Sequence, residues 1–375
     1  MERKAYQFRL APTKGQLRLW EQTLDTCRWV YNETLAYRKT AWEERQETVG
    51  LYDTNALLPL WKDQRPELKH VYSQVLQDVQ NRVHLAFDAF FRRVKRGETP
   101  GYPRFKGRGW YDSFTFKQAG FGFRVDGQWL DVSKIGSVQM INHRPINGTI
   151  KTLTIRRTST GKWFACFSVE AKPEPLPPTQ RAVGVDVGLE KFATLSTGEQ
   201  IAHPRCFRKD ERALAKAQRR LSKVEKGTPE CTKRRKVVAH IHERIANRRK
   251  DFAHKLSRRL VKEFGIIVLE NLSIARMMKN HSLAKSIADA AWNQLGSYTR
   301  YKAASAGRTY LEVDPRGTSQ RCSRCRGVVK KDLSVRVHQC PYCGLEMDRD
   351  LNAALNILAV GLHSIGSQSV EAACL

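Results

Sequence analysis

Three acidic residues lie in sequence contexts that suggest chemistry. Asp186 lies inside the apolar segment Ala-Val-Gly-Val-Asp-Val-Gly-Leu, Glu270 ends the run Ile-Ile-Val-Leu-Glu, and Asp350 lies in Met-Asp-Arg-Asp-Leu-Asn-Ala-Ala-Leu-Asn-Ile. A carboxylate at the end of an apolar strand is costly unless a partner offsets its charge. Three such residues from distant parts of the chain predict one cluster that holds divalent metal. Clusters of this kind drive metal-assisted phosphodiester hydrolysis.

Each of these acids also has a purely structural interpretation. Asp186 could cap a strand end and Glu270 could precede a helix, whereas Asp348 and Asp350 could begin a helix, where acids suit the helix dipole. Taken together, the order strand-Asp, strand-Glu, helix-Asp is that of the RNase H/RuvC nuclease core. In such cores two Mg²⁺ ions, or Mn²⁺ in their place, activate a water and stabilise the leaving oxygen.

Four cysteines lie between the second acid and the third. Cys322 and Cys325 form one Cys-x2-Cys pair, and Cys340 and Cys343 form another after a gap of 14 residues. Two such pairs hold one tetrahedral ion, so the spacing predicts one structural Zn²⁺ in a zinc ribbon; a redox dithiol pair is the alternative. A closed four-cysteine site has no open coordination position, and we expect it to stabilise a small lobe rather than to catalyse a reaction.

The composition indicates an intracellular protein that binds nucleic acid. The chain has 375 residues, enough for two or three domains, and a net charge of +29 with a pI near 10.0. A charge of this size favours a polyanionic partner, and nucleic acid is favoured over membrane. No apolar run approaches the length of a membrane span, and the first residues lack the apolar core of a signal peptide.

The first half of the chain combines short strands with long helices. Short strands with glycine turns between residues 113 and 170 predict a small antiparallel barrel, which the alternating residues 3–10 are expected to join. Helical spacing predicts helices over 14–48, 54–63 and 71–96. We therefore predict a wedge-like β-barrel domain from residues 1–11 and 98–171, with a helical recognition domain over 12–97 inserted in it.

A second domain is expected after the proline-rich linker, residues 172–181. Apolar segments at 182–186, 192–196 and 199–201 predict the first three strands of a mixed sheet. We predict an α/β multidomain protein whose RNase H-like (RuvC) core, residues 182–316 and 345–375, is interrupted by the zinc ribbon, residues 317–344. Residues 208–262 carry 20 Lys and Arg against 6 Asp and Glu and predict a basic helical hairpin. A solvated surface hairpin is the alternative, although a solvated face usually mixes both signs of charge.

Several motifs together resemble the TnpB family, the accessory proteins of bacterial insertion sequences that are often described as transposases. The family is related to the type V CRISPR nucleases. The resemblance runs nearly end to end and rests on residues 99–107, 184–196, 269–272, 280–292, 318–325 and 348–357. One departure is Arg326, at a position after the second cysteine where many relatives carry glycine; it affects the turn of the ribbon and leaves the ligands intact.

The resemblance implies an RNA-guided DNA endonuclease. A guide RNA from the transposon end would pair with one strand of a double-stranded DNA target, and the protein would read a short transposon-adjacent motif beside it. The family motif assigns metal binding to Asp186, Glu270 and Asp350, with Asp348 in reserve. It also implies a cytoplasmic protein of a bacterium or archaeon, associated with the nucleoid. Recognition by base pairing fits a basic chain without an evident major-groove reading helix.

Two segments are candidates for contact with nucleic acid. One is turn-rich, basic and aromatic, and its candidates are Tyr102, Arg104, Phe105 and Lys106. A packed loop between domains is the alternative for this segment. The other segment precedes the ribbon, near the expected rim of the active site, and its candidates are Arg316, Ser319 and Gln320.

Three other functions stay open from the sequence. A nuclease-inactive repressor that binds DNA through a guide RNA would need no acids, and all three are present here. A transposase, or strand transferase, would also use an RNase H-like core, but the ribbon before the last acid and the split barrel favour the guided nuclease. A zinc-stabilised RNA-binding protein would have no activity at all.

Overall fold

The computed structural model describes residues 1–332 and 335–373, with side chains described through residue 366. The chain divides into two compact units, Met1–Lys172 and the part from Pro173 onward. Each unit has its own apolar core. In the described residues, no helix combines the length and the apolar character that crossing a membrane would require.

The first unit contains a seven-stranded antiparallel sheet that curls into a nearly closed barrel. Its strands are β1 (Glu2–Ala11), β2 (Ser113–Phe116), β3 (Phe123–Asp126), β4 (Trp129–Val132), β5 (Gly136–Ile141), β6 (Thr149–Arg157) and β7 (Trp163–Ala171). Their order is β2-β6-β7-β1-β5-β4-β3. The period-two alternation buries every second side chain, as in β7. The predicted barrel is present, and β1 joins it by pairing with β7 and β5 as expected.

Four α-helices lie between the first two strands of this unit. They are α1 (Lys14–Arg45), α2 (Leu51–Ala56), α3 (Leu58–Gln64) and α4 (Ser73–Lys95). Thr13 and Gln16 form a reciprocal capping box that starts α1. The single helix predicted over 54–63 is wrong, because α2 ends at Ala56 and α3 begins at Leu58, with Leu57 between them. Pro59 lies in the first turn of α3, where its missing N–H is tolerated but would interrupt a continuous helix.

The second unit contains a five-stranded mixed sheet. Its strands are β8 (Ala182–Val187), β9 (Lys191–Leu195), β10 (Gln200–Ala202), β11 (Ile266–Glu270) and β12 (Thr309–Val313), in the order β10-β9-β8-β11-β12. The first three are antiparallel neighbours, whereas β8, β11 and β12 run parallel. Parallel neighbours need long crossovers, and helices between β10 and β11 and between β11 and β12 supply them.

The described part of the second unit contains six helices. They are α5 (Glu211–Ser222), α6 (Pro229–Glu263), α7 (Ile274–Met277), α8 (His281–Ala290), α9 (Trp292–Ser305) and α10 (Arg349–Ala373). Helices α5 and α6 form the hairpin, and Thr228 caps the start of α6. A small ribbon precedes α10 and contains the antiparallel pair β13 (Val337–Gln339) and β14 (Glu346–Asp348).

Helix α10 lies directly on the sheet because glycines allow the backbones to approach closely. A Cβ atom on Gly184 of β8 would lie 2.2 Å from the carbonyl oxygen of Ala354 in α10. A Cβ atom on Gly361 of α10 would lie 2.6 Å from the side chain of Val268 in β11. Real Cβ contacts are not this short, so both positions require glycine. This packing fixes the start of α10 relative to the ends of β8 and β11.

Candidate functional site

The fold brings the three predicted acids to neighbouring elements. Asp186 lies near the end of β8, and Glu270 is the last residue of β11. These strands are adjacent and parallel, with Leu269 paired to Val185, so each acid follows a paired residue. Asp350 lies in the first turn of α10, which packs on β8. One end of the sheet therefore carries a strand aspartate, a strand glutamate and a helix aspartate.

Burial disfavours the ionised form of all three carboxyl groups. Burial raises the pKa of Asp186 well above its ordinary value, and the charges of Glu270 and Asp350 raise it further. Burial also raises the pKa of Glu270 and of Asp350. No described residue donates a hydrogen bond to the carboxylate of Asp186 or Asp350. Lys191, Arg336 and Arg349 offset part of this negative charge, but the pKa values of Asp186 and Asp350 stay raised. Buried carboxylates of this kind fit divalent cations, because carboxylate oxygens are the ligands that Mg²⁺ and Mn²⁺ prefer.

Asp348, the reserve candidate, has a different environment from Asp350. Its carboxylate pairs with the Lys191 ammonium at 2.8 Å. It also accepts the backbone N–H groups of Asp350 and Leu351 at 2.9 and 3.1 Å, as a helix cap does. Burial opposes its ionisation, but Lys191 and these N–H groups hold the pKa of Asp348 below its ordinary value. Asp348 is thus committed to starting α10, which leaves the Asp350 carboxylate unpaired among the described residues.

Thr318, which no sequence pattern indicates, contacts one of the three acids. Its hydroxyl donates to Glu270 Oε1 at 2.6 Å, and this side chain is buried. This hydrogen bond lowers the pKa of Glu270 against the larger effect of burial. Thr318 belongs to the motif Thr-Ser-Gln-Arg-Cys, from which only the neighbouring Ser319 and Gln320 were chosen as candidates. A hydroxyl in the turn before a cysteine pair carries no local sign that its partner is Glu270, 48 positions away.

Two buried asparagines of α10 were also missed. Asn352 donates to the carbonyl oxygen of Arg321 at 2.8 Å and accepts the N–H of Ser323 at 2.9 Å. Asn356 donates to the carbonyl oxygens of Thr318 and Arg321 at 2.8 and 2.7 Å. Their spacing of four residues puts both amides on one helix face, and this pattern could have been found in Leu-Asn-Ala-Ala-Leu-Asn. They bind the first cysteine turn to α10.

The four cysteines form a compact cluster whose geometry suits one metal ion. Their sulfur atoms all lie within 4.8 Å of one another. The Sγ atoms of Cys322 and Cys343 are 3.6 Å apart, and those of Cys325 and Cys340 are 3.5 Å apart. A tetrahedral ion with Zn–S bonds of about 2.3 Å requires sulfur separations of roughly 3.8 Å. Burial opposes ionisation of Cys322, but the N–H groups of Cys325 and Arg324 lower its pKa to about 5. The cluster could hold zinc.

Arg326 occupies a turn position that favours glycine. It follows the second cysteine of the first pair, and its φ of 64° is close to the 67° of Gly344, which follows the last cysteine. Each residue donates its N–H to the first cysteine of its pair at 3.0 Å. An arginine in this left-handed conformation costs about 1 kcal/mol relative to glycine. Its guanidinium donates to Asn356 Oδ1 at 3.2 Å, which offsets part of that cost.

The turn-rich segment of the first unit is packed on one side and exposed on the other. Tyr102 makes edge contacts with Phe87 and Phe90, with ring centroids 5.5 Å apart in both cases. The backbone of Lys106 exchanges two hydrogen bonds with the Asn32 side chain. The candidates Arg104 and Phe105 are exposed. The segment is therefore an anchored loop that still presents a basic and an aromatic side chain to solvent.

The second candidate segment directly adjoins the acidic end of the sheet. Arg316 and Gln320 are exposed and Ser319 is half-buried. Arg316 lies 4.0 Å from Asp314, and its side chain is 89% exposed, so that ion pair is weak. Thr318, within the same turn, contacts Glu270. These three candidates flank the residue that contacts Glu270, and their contact with nucleic acid stays a prediction.

Ion pairs to buried aspartates join the two helices of the basic hairpin and attach it to α8. Asp210 accepts from Arg244 and Arg248 at 3.2 and 2.5 Å, and Asp289 accepts from Arg249 at 3.0 Å. Both aspartates are buried. The outward side keeps exposed cations, among them Arg212, Lys216, Arg219, Arg220, Lys223, Arg235 and Lys236. The hairpin therefore presents a basic surface on its outward side, and its contact with nucleic acid stays a prediction.

Three parts of the chain match known protein families. Residues 165–281 match OrfB_IS605, described as "Probable transposase", and residues 292–357 match "Cas12f1-like, TNB domain". Residues 1–47 match a family described as a helix-turn-helix domain. In this chain those residues form β1 and the single long helix α1. The second match covers the four cysteines, Asp350 and both asparagines of α10.

Two relatives align over nearly the whole chain. A protein of Streptomyces pristinaespiralis, named "Putative RNA-guided DNA endonuclease", is 38% identical over 96% of this chain and 90% of its own length. "Putative RNA-guided DNA endonuclease InsQ" of Escherichia coli (strain K12) is 30% identical over 96% of this chain and 93% of its own. The protein in a cryo-EM structure of the Cas12f1-sgRNA-target DNA complex has a similar fold. Its TM-score is 0.58 at 15% identity, with 92% of this chain and 83% of that chain covered.

Proposed function

The chain belongs to the TnpB family, the OrfB_IS605 group of probable transposases, and from this membership we propose that it is an RNA-guided DNA endonuclease. The observation that carries the proposal is the acidic triad, Asp186, Glu270 and Asp350, which the fold brings to one end of the second sheet with raised pKa values. Two relatives over nearly the full length are named for the same activity.

Asp186, Glu270 and Asp350 would together hold two Mg²⁺ ions, or Mn²⁺ in their place. When bound, such ions supply an activated water and stabilise the leaving oxygen of the phosphodiester. The ion pair between Asp348 and Lys191 fixes the first turn of α10 and so orients Asp350. Four cysteines, Cys322, Cys325, Cys340 and Cys343, would hold one structural Zn²⁺ beside this site.

A guide RNA from the transposon end would supply sequence recognition by pairing with one strand of a double-stranded DNA target. The protein would then hold phosphate backbones, and the net charge of +29 and the exposed cations of the hairpin support this role. We assign base stacking and phosphate contact to seven candidates, Tyr102, Arg104, Phe105, Lys106, Arg316, Ser319 and Gln320, and contact with the motif-bearing duplex to the first unit. The exposed aromatic ring of Phe105 offers a surface on which a base can stack.

A plasmid-cleavage experiment tests the proposal directly. The protein is produced with the RNA transcribed from the downstream end of its own gene, and the target plasmid carries a randomised library beside the guide-matched sequence. We expect guide-dependent depletion of one adjacent motif in the presence of Mg²⁺. Asp350→Asn should reduce cleavage by at least a thousandfold while RNA and target binding persist, because metal-bound carboxylates act mainly on the transition state.

Asp348→Asn is the matched control for this experiment. It makes the same chemical change two residues away, in a carboxylate that pairs with Lys191 and caps α10. We expect this variant to cleave well above the level of Asp350→Asn. Guide-dependent capture of the target without any cleavage by the unaltered protein would indicate a repressor. Transposition that continues without the protein would exclude a strand transferase.

A further inference from the structure

Thr318 links the acidic triad to the four-cysteine ribbon. We propose that Thr318 is a positioning residue, which orients Glu270 for divalent metal and makes that orientation depend on the attachment of the ribbon to α10. The inference rests on the proposed function, because it assigns Glu270 to the metal site. It extends that function by giving the ribbon a role in setting the geometry of the acids.

The hydrogen bond to Glu270 is built into a buried turn. Thr318 is 5% exposed, and its hydroxyl lies 2.6 Å from Glu270 Oε1 and 2.9 Å from the carbonyl oxygen of Pro315. A hydroxyl has one proton, and an ionised carboxylate is the stronger acceptor at the shorter distance. The bond occupies one carboxylate oxygen and fixes the rotation of the group, so the other oxygen is left for a cation.

The position of Thr318 is in turn fixed by α10. Asn356 donates to the Thr318 carbonyl oxygen at 2.8 Å and is itself buried. Asn352 and Asn356 also hold the backbone of residues 321–323, which includes the first cysteine. The helix that carries Asp350 therefore positions the turn that orients Glu270. A displaced ribbon would remove the donor from Glu270 even with all three acids present.

Glu270 is the one member of the triad with a side-chain donor among the described residues. Asp186 and Asp350 accept no side-chain hydrogen bond in the described residues, whereas Glu270 is already oriented by Thr318. Removing a hydrogen-bond partner of a metal-binding carboxylate lowers metal affinity by roughly 10- to 100-fold. We expect Thr318→Val, which keeps the shape and loses the hydroxyl, to show a loss of this size.

The test measures Mn²⁺ binding to the full-length, zinc-loaded chain without nucleic acid, by electron paramagnetic resonance. Thr318→Val should bind Mn²⁺ roughly 10- to 100-fold more weakly, and Thr318→Ser, which keeps the hydroxyl, should bind it within about threefold of the unaltered chain. Thr299→Val is the matched control, because Thr299 is also buried but donates within α9 to Leu295. In the guide-loaded protein, Thr318→Val should require more Mn²⁺ for half-maximal cleavage, with the rate recovering at saturation.

The zinc content of every variant is measured in parallel. Normal Mn²⁺ affinity in Thr318→Val with full zinc occupancy would overturn the inference, as would equal losses in Thr318→Val and Thr318→Ser. Thr318→Ala, which keeps the carbonyl that Asn356 binds, is the second variant if valine displaces zinc, and the same criterion applies to it. Asp186→Asn separates this failure from that of the proposed function. Normal Mn²⁺ binding by Asp186→Asn would show that the triad is not the metal site. If Asp186→Asn loses Mn²⁺ binding while Thr318→Val binds Mn²⁺ normally, only the role of Thr318 would be excluded.

Discussion

The four-cysteine cluster and the acidic triad are both sets of potential metal ligands in the second unit, but they are assembled in opposite ways. Cys322 and Cys343 are 21 positions apart, and each cysteine pair is closed by its own tight turn. The acids come from two strands and one helix that are distant in sequence. In the described residues, the cysteine sulfurs form a group within 4.8 Å, and the carboxylates form no group this tight. A site for two ions about 3.5–4 Å apart is expected to be wider than a cage for one.

The electrostatics of the two sites differ as well. Backbone N–H groups point at Cys322 and stabilise its thiolate, so the ribbon is prepared for a cation by local structure. The acids are buried together, and their charges oppose one another. We infer that an ion at the cysteines contributes to folding. Ions at the acids would instead relieve a repulsion that the fold tolerates for function.

The largest expected effect comes from breaking the cysteine cluster. Cys340→Ser should abolish zinc binding and unfold the ribbon, because structural zinc contributes about 10 kcal/mol or more to folding in small zinc domains. Zinc content and limited proteolysis within residues 317–344 measure this effect. Cleavage at limiting metal concentration should fall as well, since Thr318, which donates to Glu270, lies next to the first cysteine turn.

Cys231→Ser is the control for that variant. Cys231 is equally buried but lies in the first turn of α6, far in sequence from the four clustered cysteines. It should retain zinc and cleavage. A Cys340→Ser protein that keeps stoichiometric zinc, or that resists protease like the unaltered chain, would contradict the folding role of the cluster.

The second prediction concerns the packing that brings the acids together. Gly184→Ala should destabilise the second unit by about 3 kcal/mol, because its Cβ would lie 2.2 Å from the Ala354 carbonyl oxygen and would push α10 off the sheet. Thermal unfolding monitored by scanning calorimetry measures the change, and cleavage should fall as Asp350 moves. Gly366→Ala is the control in α10. Its added Cβ atom would meet open space, so the unfolding temperature should stay unchanged or rise slightly. Equal unfolding temperatures of the two variants would contradict the prediction, because α10 could then shift on the sheet without a cost in stability.

Local patterns predicted a large part of the fold. The alternating strands of the barrel, the four-residue apolar repeats of α1 and α4 and the cysteine spacing are short-range signals, and the predicted barrel was found. Strand β12 was not predicted, because Thr-Tyr-Leu-Glu-Val is a short edge strand with little alternation in burial. Its place is set by pairing with β11. Such long-range pairing leaves no mark in the local sequence.

The acids of the candidate site were predictable from the sequence, whereas Thr318, which orients one of them, was not. The family motif favours Asp350 over Asp348 as a metal ligand. The structure is consistent with this choice, because Lys191 and two N–H groups already bind the Asp348 carboxylate. The assignment of Asp186, Glu270 and Asp350 as metal ligands stays a prediction. Thr318 could not be found from the sequence, because its partner Glu270 is 48 positions away. Contacts between distant elements need the fold before they can be seen.

The smallest expected effect tests whether the acids oppose folding. The raised pKa of Asp186 means that the folded chain holds this proton more tightly than the unfolded chain. The contribution of Asp186 to stability is therefore full at low pH and is lost as the pH rises through the folded-state pKa. In metal-free buffer at pH 8, Asp186→Asn should be more stable than the unaltered chain by about 1 kcal/mol, the usual gain when a functional conflict is removed. The difference should shrink at pH 5.

Asp348→Asn should change stability in the opposite direction, which makes it the sharpest control for Asp186→Asn. The pKa of Asp348 is lowered in the fold, so its contribution is present above the unfolded-state value and is lost as the pH falls. Scanning fluorimetry in chelator-free, metal-depleted buffer preserves the zinc and measures both variants. Added Mg²⁺ should raise the Tm of the unaltered chain and leave Asp186→Asn nearly unchanged. If both asparagine variants lowered the Tm at pH 8, the acids would act as stabilising groups like the cysteines, and the contrast between the two sites would fail.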